Sequence, residues 1–157
     1  MSRLVGMALA MMLAGVAWGQ ATVFAYFKEP GTQGIYLALS RDGYTFTTLN
    51  DGEPWVKPTA DGEIMRDVFV TRDPAGGFRM VWTWGWKGTS LGTAHADDLV
   101  NWGAQTEVPM MRDIPGTHNA WAPETYWDEA AKQWLVIWSS SFEGDAAGNR
   151  ILSLIHI

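Results

Sequence analysis

The chain has 157 residues, 47% hydrophobic and 18% charged, a composition that supports one domain with a real core and excludes a disordered or fibrous chain. Eleven Lys and Arg against 17 Asp and Glu leave a net charge of -6, and the basic residues are scattered, so neither a phosphate-binding footprint nor a nucleic-acid partner is expected. Cysteine is absent, which removes disulfides, thiolate nucleophiles and Cys-ligated metal sites, whereas ten Trp point to a β-rich fold, a sugar-stacking surface, or both.

Met1-Ser2-Arg3 followed by the apolar run Leu4 to Ala17 reads as a secretory signal over residues 1–19, with Ala17 three positions before a break after Gly19. The run is shorter than the roughly 20 apolar residues that a bilayer core requires. Loss of Arg3 with the signal would take the charge from -6 to -7, giving an acidic secreted or periplasmic protein with no membrane attachment. At the other end, Leu152-Ser153-Leu154-Ile155-His156-Ile157 follows a polar loop abruptly and matches one reading frame of a sequencing-library adapter. Residues 152–157 are therefore expected to be a non-native tail, the alternative being an apolar β-strand, and residues 20–151 to be the native domain.

Between these ends the apolar stretches Val23 to Phe27, Phe78 to Thr83 and Trp134 to Ser139 read as short strands, and they are related by an interval of 56 that takes Tyr26 to Trp82 to Trp138. The same offset takes Ile35 to Leu91, Ala38 to Ala94, Asp42 to Asp98 and Phe46 to Trp102 without a gap. Turns are marked by Asp42-Gly43, Asp73-Pro74-Ala75-Gly76-Gly77 and Asp128-Glu129, and no segment beyond the signal has a helical period. A four-stranded antiparallel unit repeated at about this length is the signature of an all-β propeller. Residues 20–151 hold about two and a half such units, and an open arc leaves strand edges in water. Propellers close with about four to eight blades, and a five-bladed ring of this period would need about 280 residues, so the expectation is a β-propeller truncated to about two and a half blades.

The innermost strand of each blade lines a central channel, so polar residues opening those strands converge. Two segments qualify: Met65-Arg66-Asp67-Val68-Phe69-Val70, which opens on an ionic pair, and Asn119-Ala120-Trp121-Ala122-Pro123-Glu124-Thr125-Tyr126, where an aromatic, a proline and a carboxylate precede a strand around Tyr126. Aligned with a one-residue gap, Asp67 matches Ala122 and Phe69 matches Glu124, so both carboxylates point into one sugar-sized cavity. The structural alternative is an Arg66–Asp67 salt bridge, with Glu124 bonded to the next blade. Trp84, Trp86, His118 and Trp121 flank the same rim, where an indole can stack on a sugar ring and His118 can bond a hydroxyl. Trp82, Trp102, Trp134 and Trp138 are read as packing from their place in the repeat. His118 has no second His at ligand spacing, and no metal site is assigned.

Arg66-Asp67, the Phe78-Arg79-Met80-Val81-Trp82-Thr83 strand, the Leu99-Val100-Asn101-Trp102 turn and the Asn119-Ala120-Trp121-Ala122-Pro123-Glu124 run together resemble glycoside hydrolase family 43, over nearly all of residues 22 to 151. The resemblance implies a five-bladed propeller that hydrolyses arabinose- or xylose-containing glycans with inversion. It implies a general-base Asp, a general-acid Glu and a further Asp that tunes the acid. The base motif matches Asp67, although Val68 stands where the family usually has Pro. The acid and the tuning Asp belong to later blades. Glu124 is implied to line the channel, and with Arg66 and Asn119 at the strand openings and Trp86, His118 and Trp121 at the rim it makes up the expected substrate-binding set. The chain alone is then expected to be inactive. The complete protein is expected to be a monomer acting on an oligo- or polysaccharide without a cofactor, a channel calcium in the full ring being left open.

Two other readings compete. Ser40-Arg41-Asp42-Gly43-Tyr44-Thr45-Phe46 resembles a shortened Asp-box turn of sialidases, which need an Arg cluster to hold a carboxylate. A non-catalytic sugar-binding propeller would use the same Trp platforms without an acid.

Overall fold

The structure, a computed structural model, describes residues 20–60, 63–146 and 148–155; the signal segment expected over 1–19 lies outside them. The strands are β1 (Thr22–Phe27), β2 (Ile35–Ser40), β3 (Thr47–Thr48), β4 (Arg66–Arg72), β5 (Phe78–Thr83), β6 (Leu91–Ala96), β7 (Thr106–Val108), β8 (Trp121–Asp128), β9 (Gln133–Ser140) and β10 (Arg150–Ile155). Among the described residues there is no α-helix, only a single 3-10 turn at Asn50–Gly52, and no helix long and apolar enough to cross a membrane.

The strands form three antiparallel sheets, β1-β2-β3, β4-β5-β6-β7 and β8-β9-β10, none of them closed. β4 packs against β1 on one side and β8 on the other. The 56-residue interval makes β1, β5 and β9 equivalent, so the first sheet begins with the strand that stands second in the other two.

The interval is physical. One core cluster joins Ile35, Val56, Met65, Met80 and Trp82 between the first and second sheets. The other joins Leu91, Met111, Ala120, Val136 and Trp138 between the second and third, the same five positions moved on by 55 or 56 residues, while Ala94, the sixth member of the first cluster, has no counterpart. Each sheet presents the same apolar face to its neighbour, and burying both faces is what holds the stack together. Trp82, Trp134 and Trp138 are buried and Trp102 packs against the first cluster, as their place in the repeat predicts. Trp82 also dictates its partner: it pairs with Gly92, where an added Cβ would come within 2.1 Å of the indole.

The turns repeat as well. Asp42 Oδ1 accepts the N–H groups of Tyr44 and Thr45, and Asp98 Oδ1 accepts those of Val100 and Asn101. These backbone donors hold both carboxyls below the usual range. The segment that resembles an Asp box is thus one of two copies of a general repeat turn. In the hairpins β4–β5 and β8–β9, Asp73 and Asp128 accept the N–H of Ala75 and of Ala130 in the same manner.

Leu152 to Ile155 form the outer part of β10, paired with Leu135 to Trp138 of β9. Backbone pairing makes no distinction as to where the paired residues originate, so the strand is compatible with either origin of these residues.

Candidate active site

β4 and β8, the neighbouring first strands of their sheets, open with the same irregularity. The β4–β5 register shifts between Arg66 and Phe69, and the β8–β9 register between Trp121 and Glu124. Inside each bulge sits a non-glycine residue in the left-handed region, Asp67 at φ 51° and Ala122 at φ 50°. Each costs about 1 kcal/mol, and a bulge re-aims the side chain it carries. The aligned pair Asp67 and Ala122 therefore share one backbone conformation. The Trp-Ala-Pro-Glu run lies within β8 and forms its bulge; it does not precede the strand, as the sequence suggests.

The two bulges are tied by Thr83 at the end of β5. Its hydroxyl donates to Asp67 Oδ2 at 2.7 Å and accepts the Ala122 N–H at 2.9 Å. An N–H can only donate, so the single hydroxyl hydrogen is committed to Asp67. Thr83 is almost fully buried, and its bond anchors one oxygen of a half-buried carboxylate. Asp67 Oδ1 has no hydrogen-bond partner among the described residues.

Arg66 does not pair with Asp67, contrary to the ionic pair read from their adjacency. The bulge turns Asp67 toward Thr83, while the Arg66 stem runs past Gly31, where an added Cβ would stand 2.5 Å from Arg66 Cγ. Its guanidinium pairs with Glu29 and lies over the rings of Phe27 at 4.8 Å and Trp86 at 4.2 Å. A planar cation held between two aromatic faces is a fixed element of the wall.

Trp86 meets Trp121 edge to face at 6.2 Å, and Trp121 Nε1 donates to the Gly85 carbonyl at 3.3 Å. These two indoles separate adjoining depressions. One is lined by Arg66, Asp67, Thr83, Trp86, Trp121 and Asn149; another holds His118 and Asn119 beside the same two Trp. A third holds Asp67 with Glu124 along β4 and β8. The seven residues selected from sequence as a site border these three adjoining depressions, with different freedom, whereas Trp84, read as a rim residue, stacks on Trp82 at 6.0 Å against the first core cluster. His118 is exposed and only its backbone is bonded, to Ser141 O at 2.9 Å. Asn119 is buried, and its Oδ1 accepts both the N–H and the hydroxyl of Ser141, at 2.8 and 2.6 Å. It braces the loop before β8 against the end of β9, and its carbonyl oxygen is already occupied. Glu124 accepts the Tyr126 hydroxyl, which raises the Tyr126 pKa.

Sequence reasoning missed Thr83 and Glu29. A signal for Thr83 existed, because it and Ser139 are hydroxyl residues 56 apart that pair with Arg66 and Trp121 at the two bulges. None existed for Glu29, which reaches Arg66 from the turn between β1 and β2. No group of three or more His, Asp or Glu side chains that could hold a metal lies among the described residues.

No solved structure matches this chain. A curated relative, an alpha-L-arabinofuranosidase from Bifidobacterium longum subsp. longum, is 27% identical over 140 residues, covering 78% of this chain and 13% of that protein. The chain therefore spans a small part of the length of that relative. The sequence profile of a family described as a probable glycosyl hydrolase domain, related to glycoside hydrolase family 43, matches residues 19–154. With most of its length matched, the chain belongs to this family 43-related group of glycosyl hydrolases.

Proposed function

We propose that this chain supplies the general base of an inverting glycosidase that acts on arabinose- or xylose-containing glycans. The observation that carries the reading is Asp67: one oxygen is bonded to Thr83, the other is unbonded, and the residue lines a depression walled by Trp86 and Trp121. Inversion needs a carboxylate that removes a proton from water on one face of the sugar while an acid protonates the leaving oxygen on the other. Asp67 Oδ1 has the lone pair for the first task, and fixing Oδ2 holds that lone pair in one direction. An indole wall gives the sugar ring an apolar face to stack on. Glu124 lies along the same groove and holds the Tyr126 hydroxyl; its role here is to line the groove, and the acid comes from elsewhere.

In this reading the three sheets are successive blades of a five-bladed ring. The equivalence of the two core clusters and the adjacency of β4 and β8 support it. The protein is exported, acts as a monomer and takes an oligo- or polysaccharide.

The test is turnover of an aryl α-L-arabinofuranoside and an aryl β-D-xyloside. The chain of 157 residues is expected to give none above background, since the acid is not in it. The same sequence carried in a reading frame with about three further copies of the repeat is expected to be active, and to lose about a thousandfold or more in kcat on Asp67→Asn. Full activity of that variant would sink the assignment.

A further inference from the structure

The depression beside the Asp67 cleft, on the far side of the Trp86–Trp121 wall, carries an unusual set of free groups. Its hydroxyl and indole hydrogens are already donated internally. Thr117 Oγ1 donates to Ile114 O at 2.9 Å, Ser141 Oγ donates to Asn119 Oδ1 at 2.6 Å, and Trp121 Nε1 donates to Gly85 O at 3.3 Å. What remains is Lys87 and His118, both exposed, whose side chains have no hydrogen-bond or ion-pair partner among the described residues. No carboxylate lines this depression. In a chain of net charge -6, the unpaired ammonium of Lys87 in a hollow lined by no acid is a local reversal of sign.

An ammonium is donor-only, an imidazole offers at least one N–H, and a carboxylate is acceptor-only, so the free donors match an anionic ligand, and the ammonium adds charge attraction that a neutral polyol does not have. The half-exposed Trp86 and its neighbour Trp121 supply stacking faces beside those donors. From this combination we propose that the hollow formed by Trp86, Lys87, His118 and Trp121 is a subsite for a uronic-acid residue of the glycan. The inference rests on the glycan reading above and adds the charge class of the sugar next to the Asp67 cleft.

The test follows the indole N–H resonances of Trp86 and Trp121 in the intact chain during titration at low ionic strength. The two probes are xylotriose and xylotriose carrying one glucuronic-acid branch. The expected result is binding of the acidic sugar about fivefold tighter than the neutral one, a preference lost in Lys87→Met and weakened by added salt. Lys87 is exposed, so its replacement leaves the fold intact, which the unchanged remainder of the spectrum verifies. Equal affinity for the two probes, or a preference that survives Lys87→Met, overturns the uronate subsite and leaves the glycan reading standing. Failure of both probes to move either indole overturns both.

Discussion

Thr83 Oγ1 stands 2.7 Å from Asp67 Oδ2 and receives the Ala122 N–H at 2.9 Å, so one hydroxyl joins the carboxylate of β4 to the backbone of β8. The bond crosses from one sheet to the next where both first strands are bulged. It makes the geometry of the proposed base depend on the packing of two sheets.

Replacing Thr83 by Val keeps the volume and removes both bonds. It is expected to leave the Ala122 N–H and Asp67 Oδ2 unpaired and to cost about 1–3 kcal/mol, measured by urea unfolding. Thr83→Ser should recover most of the loss, because the hydroxyl returns. If Val were tolerated at no cost, the link between the bulges would be incidental.

The Trp82 indole occupies the space a side chain at residue 92 would need. Gly92→Ala is expected to lower stability by about 3 kcal/mol, seen as a fall in thermal midpoint. Gly43→Ala, with nothing within 4 Å of its added Cβ but a φ of 78°, should show only the smaller backbone penalty, about 1 kcal/mol. Equal effects at the two sites would mean that steric contact with Trp82 is not the cause.

Arg66 is held as a plane between Phe27 and Trp86. Arg66→Lys keeps the charge and loses the plane, and is expected to cost about 1 kcal/mol and to change the fluorescence of Trp86. A variant with the parent spectrum and stability would show that charge alone matters at this position.

Asp73 is buried beside Arg79, whose guanidinium stacks over Trp134 at 4.9 Å. Burial pushes the Asp73 carboxyl up, but the Ala75 N–H and the Arg79 guanidinium together outweigh it and hold the carboxyl below its ordinary value. A depressed folded-state pKa stabilises the fold above the unfolded value near 4 and ceases to do so as pH falls through the folded value. Unfolding free energy should therefore decline as pH drops below about 5, and part of that decline should vanish in Asp73→Asn. The variant itself should be about 1.5–3 kcal/mol less stable at neutral pH, the range for a hydrogen bond to a charged group. An acid limb of unchanged slope in the variant would refute the account.

Much of this protein was legible before any coordinate. The interval of 56 predicts which apolar residues are equivalent, and five positions of the two core clusters follow it to within one residue, as a repeated pattern of buried faces requires of repeated sheets. The Asp-led turns were legible too, since their bonds close within two or three residues of the Asp. Arg66 and Asp67 lie beside Trp121 for a related reason: residues opening equivalent strands are brought to one end of the stack.

Residue order alone settles what depends on short-range chemistry and on the period. It did not determine what Asp67 and Arg66 touch, and adjacency in the chain suggested that they touch each other. The tertiary structure decided otherwise, because the bulge separates their directions, Thr83 reaches Asp67 from 16 residues away and Glu29 reaches Arg66 from 37. Partners at such separations are chosen by the packing of whole sheets, and no local pattern encodes them.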